Sequence, residues 1–140
     1  AEQGRYDEAI QLFEQFRDLQ PDSAEPLYNL GLVRARLGEF EAAQRDLEAA
    51  LQLDEAFSGA WVALGNVFAR QGRLPEAVSA YETELAINPA SLEGHVNLAV
   101  QLVNQSRLDE ARRHLEEAVR LAPHSVEARL NLGLLCAMQE

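Results

Sequence analysis

Residues 61–68 read Trp61-Val62-Ala63-Leu64-Gly65-Asn66-Val67-Phe68, followed by Gly72, Ala77, Tyr81 and Pro89. The order is W-x2-L-G-x2-aromatic, then A-x3-aromatic, then proline, as a repeat of two helices and two turns requires. Moving the window by 34 residues in either direction brings the pattern back. Gly31, Gly65, Ala99 and Gly133 form one column, and Ala9, Ala43, Ala77 and Ala111 a second. Gly4, Gly38, Gly72 and Ser106 form a third; Pro21, Pro89 and Pro123 form a fourth, with Glu55 in its empty slot. No insertion or deletion disturbs the phase, so the chain reads as an all-α stack of antiparallel helix pairs, about eight helices in all.

Each column has a physical cause. Glycine turns the chain past a helix end at positive φ with little steric cost. Ser106 pays more there, so the third turn is expected to be strained. Small residues at Gly31, Gly65, Ala99 and Gly133 sit mid-helix, where glycine costs about 1 kcal/mol. A close helix crossing explains them, with the alanines of the second column as facing partners. Pro89 and Pro123 end helices, because the residue before proline disfavours α conformation. Ser23 is placed to cap the helix that follows it.

This pattern resembles the tetratricopeptide repeat (TPR) family over essentially the whole chain. The resemblance implies a right-handed α-solenoid, the TPR superhelix, in a single domain spanning 1–140. In that frame, 1–23 holds the second helix of a partial repeat. Full repeats occupy 24–57, 58–91 and 92–125, and 126–140 holds the first helix of another. The family's partners lie on the concave side, lined by one face of each first helix. Counted from the small mid-helix residue, that face carries Tyr28, Val62, Val96 and Leu130 three before it, and Asn29, Ala63, Asn97 and Asn131 two before it. Leu32, Asn66, Val100 and Leu134 stand one after it, and Arg36, Arg70, Asn104 and Met138 five after it. This is not the face of Leu30, Leu64, Leu98 and Leu132. Its aliphatic residues suggest an apolar groove with polar anchors. A carboxamide both donates and accepts, so the asparagines can hold an extended backbone. They are similar to the asparagine ladder of the TPR region of O-GlcNAc transferases, interrupted at Ala63.

Charge refines the partner. The formal net charge of -11 argues against a nucleic-acid partner. Six before the small residue stand Glu25, Glu93 and Glu127, where TPR cochaperones that clamp carboxy-terminal tails carry basic residues. The expected ligand is therefore an extended protein or peptide segment, partly apolar, and neutral to basic near the glutamates. Arg36 and Arg70 remain able to pair with acidic side chains deeper in the groove. No apolar run approaches the roughly 18 residues of a membrane span, so no membrane insertion is expected. Cys136 is the single cysteine, which leaves cytoplasmic and periplasmic locations open.

Nothing in the chain reads as catalysis. His95, His114 and His124 lack ligand-like spacing and are expected at or near the surface. Cys136 shares no motif with them, no phosphate loop is present, and no cofactor or metal is expected. Three departures from the repeat stand out. Glu84 replaces an alanine and is expected to reach water, or else to pair with an arginine or a partner. Arg34 replaces an aromatic residue, and His95 and Arg129 replace tryptophan; all three are expected to reach solvent from loosely packed sites. The last helix is expected to expose Leu132, Leu135, Cys136 and Met138. Either the chain is part of a longer protein, or these ends pair between copies in a concentration-dependent dimer. The reading is a non-enzymatic protein-interaction module. The alternatives are a segment of a self-assembling scaffold, or the targeting arm of a multidomain enzyme.

Overall fold

The computed structural model describes residues 2–139. Among these residues there are eight α-helices and no strands. The chain divides into two compact units, Ala1–Arg73 and Leu74–Glu140. The first unit holds α1 (Glu2–Leu19), α2 (Ala24–Arg36), α3 (Phe40–Leu53) and α4 (Ala60–Arg70). The second holds α5 (Leu74–Ile87), α6 (Leu92–Asn104), α7 (Leu108–Leu121) and α8 (Val126–Met138). Within each unit every helix packs on the next, and the two first-type helices, α2 with α4 and α6 with α8, also touch.

The core follows the repeat columns. Ala43, Leu47, Ala50 and Leu51 bury one face of α3 against Leu30 of α2. Ala111, Leu115 and Ala118 do the same for α7 against Leu98 and Leu102 of α6. Gly31 justifies its column, since a Cβ there would lie 2.6 Å from Leu47 Cγ and 3.3 Å from the Ala43 carbonyl. Gly133 does not, because nothing lies within 4 Å of the same added atom. Gly38 and Gly72 take φ of 80° and 75°, and Ser106 follows them into the left-handed region at 60°, as the repeat demands.

The helix starts differ from expectation in two places. Ser91 and Ser125 accept hydrogen bonds from the Gly94 and Ala128 amides, each at 3.2 Å. Ser23 has the extended backbone of a cap, yet its side chain makes no cap hydrogen bond. Gly59 lies outside α4, in left-handed conformation at its N-terminus, so the second repeat enters its helix later than its frame suggests.

The tryptophan column has a meaning the sequence pattern hides. Trp61 Nε1 donates to the Glu55 carbonyl at 2.9 Å, six residues back. His95 Nε2 meets the Pro89 carbonyl at 2.9 Å, and Arg129 Nε donates to the Pro123 carbonyl. In these three repeats the position supplies a side-chain N–H that ties down a carbonyl just past the preceding helix end; Leu27, in the same column, has none. His95 is therefore 8% exposed, and not the solvent-reaching residue expected. Arg129 is exposed as expected, but bonded.

Two further polar side chains are bonded within the fold. Arg34 is half-buried, its side chain 19% exposed. It donates to Glu14 of α1 at 2.9 Å and pairs with buried Asp46 of α3. Burial pushes the Asp46 carboxyl up, and Arg34 pulls it back only in part. Glu84 neither reaches water nor meets an arginine. It is 3% exposed and hydrogen-bonds Ser91 and Asn88, with its carboxyl raised above the ordinary value by burial. In α8 it is Leu135 that is buried, while Val126, Leu130, Leu134 and Met138, spaced by four, form the exposed row. Leu132 and Cys136 are half-buried.

Candidate functional site

Each unit brings part of the sequence-predicted set together around a cavity. In the first unit, Leu32, Ala35 and Arg36 of α2, Phe40 and Leu47 of α3, and Ala63, Asn66, Val67 and Arg70 of α4 enclose about 180 Å³. In the second, Val100, Val103 and Asn104 of α6, Leu115 of α7, and Asn131, Leu134, Leu135 and Met138 of α8 enclose about 170 Å³. These are one site seen twice. Leu32 corresponds to Val100, Arg36 to Asn104, Asn66 to Leu134 and Arg70 to Met138, two repeats apart. Helix periodicity explains the recurrence: residues three and four apart share a face, and adjacent first helices present the same face side by side.

The remaining predicted residues stand elsewhere. Val62 and Val96 are only 3% and 2% exposed, so they belong to the core and not to an accessible groove. Val96 packs with Ala118, Ala128, Leu92 and Val119. At that offset the column is closed at Val62 and Val96, part-covered at Tyr28 and open at Leu130, 59% exposed. Tyr28 is half-buried, its ring 5.1 Å from that of Phe57. Asn29 and Asn97 are half-buried and line neither cavity. Of the asparagine column only Asn131 reaches one. Glu25, Glu93 and Glu127 are exposed at the starts of α2, α6 and α8.

The two cavities differ in charge. Arg70 stacks 5.4 Å from the centroid of Phe40, which holds its guanidinium beside the first cavity. Arg36 is exposed, and no carboxylate lines that cavity. The second cavity carries no charged side chain at all.

Sequence reasoning missed a histidine pair and a buried amide. His95 Nδ1 lies 3.0 Å from His114 Nδ1. The Pro89 carbonyl requires the His95 proton on Nε2, so His114 Nδ1–H donates to His95 Nδ1. Burial and the His95 ring lower the His114 pKa from 6.5. Gln101 is buried, and its Oε1 has no hydrogen-bond partner among the described residues. The signal was there: Val33, Val67 and Leu135 fill its column elsewhere. Among the described residues no group of three His, Cys, Asp or Glu side chains could hold a metal ion. No described helix is long and apolar enough to cross a membrane.

The architecture is that of a helical-repeat protein with a lateral cavity on its first-helix face. Residues 28–91 and 96–140 match the tetratricopeptide repeat family, residues 1–38 match a further TPR repeat description, and the chain belongs to the TPR family. The crystal structure of MamA superposes with a TM-score of 0.85 at 21% identity, covering 98% of this chain and 80% of that one. YrrB, described as a TPR protein with an unusual peptide-binding site, gives 0.81 at 25% identity over 91% of this chain and 66% of its own. The first TPR region of Spaghetti (RPAP3), bound to the HSP90 peptide SRMEEVD, gives 0.79 at 17% identity, covering 84% and 93%. No curated protein matches the chain in sequence.

Proposed function

We propose that this chain is a non-enzymatic protein-interaction module whose first-helix faces hold an extended segment of a partner protein. The observation that carries the reading is the recurrence of one cavity at equivalent repeat positions in both units, lined by exposed first-helix side chains as well as by core residues. A volume near 180 Å³ suits one side chain of a peptide rather than a drug-sized ligand, which needs roughly 300 Å³ or more. Peptide binding by RPAP3 and the peptide-binding site named for YrrB support the same use of the fold. The site comprises Leu32, Arg36, Asn66 and Arg70 in one unit and Val100, Asn104, Asn131 and Leu134 in the other. Tyr28, Asn29, Asn97 and Leu130 lie on its flanks, and Glu25, Glu93 and Glu127 favour neutral or basic ligand residues nearby.

The test is capture of a partner by wild type beside Val100→Asp/Leu134→Asp, two substitutions at part-exposed positions. Leu53→Asp, on exposed surface of α3, is the control. The double variant is expected to keep its helical circular dichroism and lose the partner. Equal capture by all three proteins would refute the reading. A second reading rests on the exposed row Val126, Leu130, Leu134 and Met138 of α8: this row joins the chain to another copy. Sedimentation showing monomer at high concentration would remove it.

A further inference from the structure

The chain carries 23 acidic residues against 12 basic ones, yet no carboxylate lines either cavity. The first unit's cavity is lined by Leu32, Ala35, Leu47, Ala63 and Val67 as an apolar floor, with Arg36 and Arg70 as its only charges. Four other arginines are neutralised by neighbours: Arg17 by Asp18, Arg34 by Glu14 and Asp46, Arg107 by Glu110, and Arg120 by Glu117. Arg36 and Arg70 have no carboxylate partner among the described residues, although Glu39 and Glu41 are near in sequence. Arg70 lies over the Phe40 ring, an arrangement that fixes the guanidinium plane and leaves its N–H edges for an incoming acceptor. Asn66, exposed at the same cavity, adds a carboxamide.

We propose that this cavity selects a glutamate side chain of an extended partner segment. The ligand's methylenes lie on the apolar floor, and its carboxylate accepts from Arg36 and Arg70. The inference rests on the peptide-binding reading above and gives that site its specificity. The equivalent cavity of the second unit, with Asn104 and Met138 in the arginine positions, lacks this charge and takes an uncharged side chain. Charge complementarity decides the occupant. A fixed guanidinium at a half-open, apolar site binds carboxylate through charge-assisted hydrogen bonds, stronger than those between neutral groups.

The second unit supplies the test. Because the same fold carries Asn104 and Met138 at the matching positions, Arg36→Asn/Arg70→Met substitutes residues the repeat already accommodates. The full chain is used to select from a library of random dodecapeptides with acetylated and amidated ends. Selected peptides are expected to carry glutamate beside aliphatic residues. Changing that glutamate to glutamine should weaken wild-type binding about tenfold, the order of one charge-assisted hydrogen-bonded pair. The Arg36→Asn/Arg70→Met variant should bind both peptides alike. Selected peptides without acidic residues, or a glutamate preference that survives in the variant, would overturn the proposal while leaving the groove reading intact. An acid preference seen only in a second library with free C-termini would replace the side chain by a terminal carboxylate and also overturn it. Failure to select any peptide would remove the groove reading itself.

Discussion

Gly31 and Gly133 occupy the same repeat position, yet the same substitution at each should have opposite sign. At Gly31 an alanine Cβ would sit 2.6 Å and 2.8 Å from Leu47 Cγ and Cδ2. Ordinary carbon contacts need about 3.5–4.0 Å, so Leu47 must move by about 1 Å. Leu47 is fully buried, and the Ala43 carbonyl, 3.3 Å away, is backbone and cannot give way cheaply. Overpacking of this kind costs about 1–3 kcal/mol. Replacing mid-helix glycine by alanine returns about 1 kcal/mol of helix propensity. Gly31→Ala is therefore expected to lose about 1 kcal/mol net. Gly133 meets no atom within 4 Å, so Gly133→Ala keeps the propensity gain and stabilises its helix by up to about 1 kcal/mol. Urea unfolding at 25 °C, followed by circular dichroism, measures both midpoints, and unchanged m-values show that they compare like with like. The reasoning fails if Gly31→Ala has a midpoint equal to or above that of Gly133→Ala.

Arg34→Met removes the partner of buried Asp46 and of Glu14. A loss of about 2–3 kcal/mol is expected, below the fully buried range because some solvent reaches the pair. Arg34→Met/Asp46→Leu should recover much of that loss, and thermal melts of the two variants decide it. Glu84 has a carboxyl raised by burial, so its contribution to stability is greatest below the unfolded carboxylate range and falls as pH rises through the folded value. Glu84→Gln should therefore gain on wild type between pH 4 and pH 7 in parallel melts; a constant difference would contradict this. His114 has the opposite sign: its lowered pKa makes the fold lose stability as pH falls from the ordinary histidine range near 6.5. His114→Gln, compared with wild type at about pH 7.5 and pH 5, should show the smaller drop in melting temperature.

The fold was legible because the repeat states each requirement several times over. A glycine at 38 or 72 alone is ambiguous, but in phase with Ala43, Ala77 and the closing prolines it marks a turn between antiparallel helices. Ser106 shows the strength of that phase, since it adopts the glycine conformation at 60° where its own preference would refuse. The candidate site was legible in part. Offsets one and five after the small residue line the cavities; offset three before it, at Val62 and Val96, is buried. An angular reading of one helix cannot separate a groove wall from a seam between helices, because their difference depends on where the neighbouring helix lies.

What the amino-acid order determined by itself is periodic: helix count, helix length, turn positions and the apolar columns, all consequences of local backbone preference and burial repeated every 34 residues. Tertiary structure alone decided the aperiodic pairs. Arg34 with Asp46, His95 with His114, and Glu84 with Ser91 each break a column, and each reads from the sequence as an isolated misfit. They are tolerated at buried or half-buried positions because a second group satisfies each one. The partner lies on a neighbouring turn or helix at a distance no repeat spacing encodes.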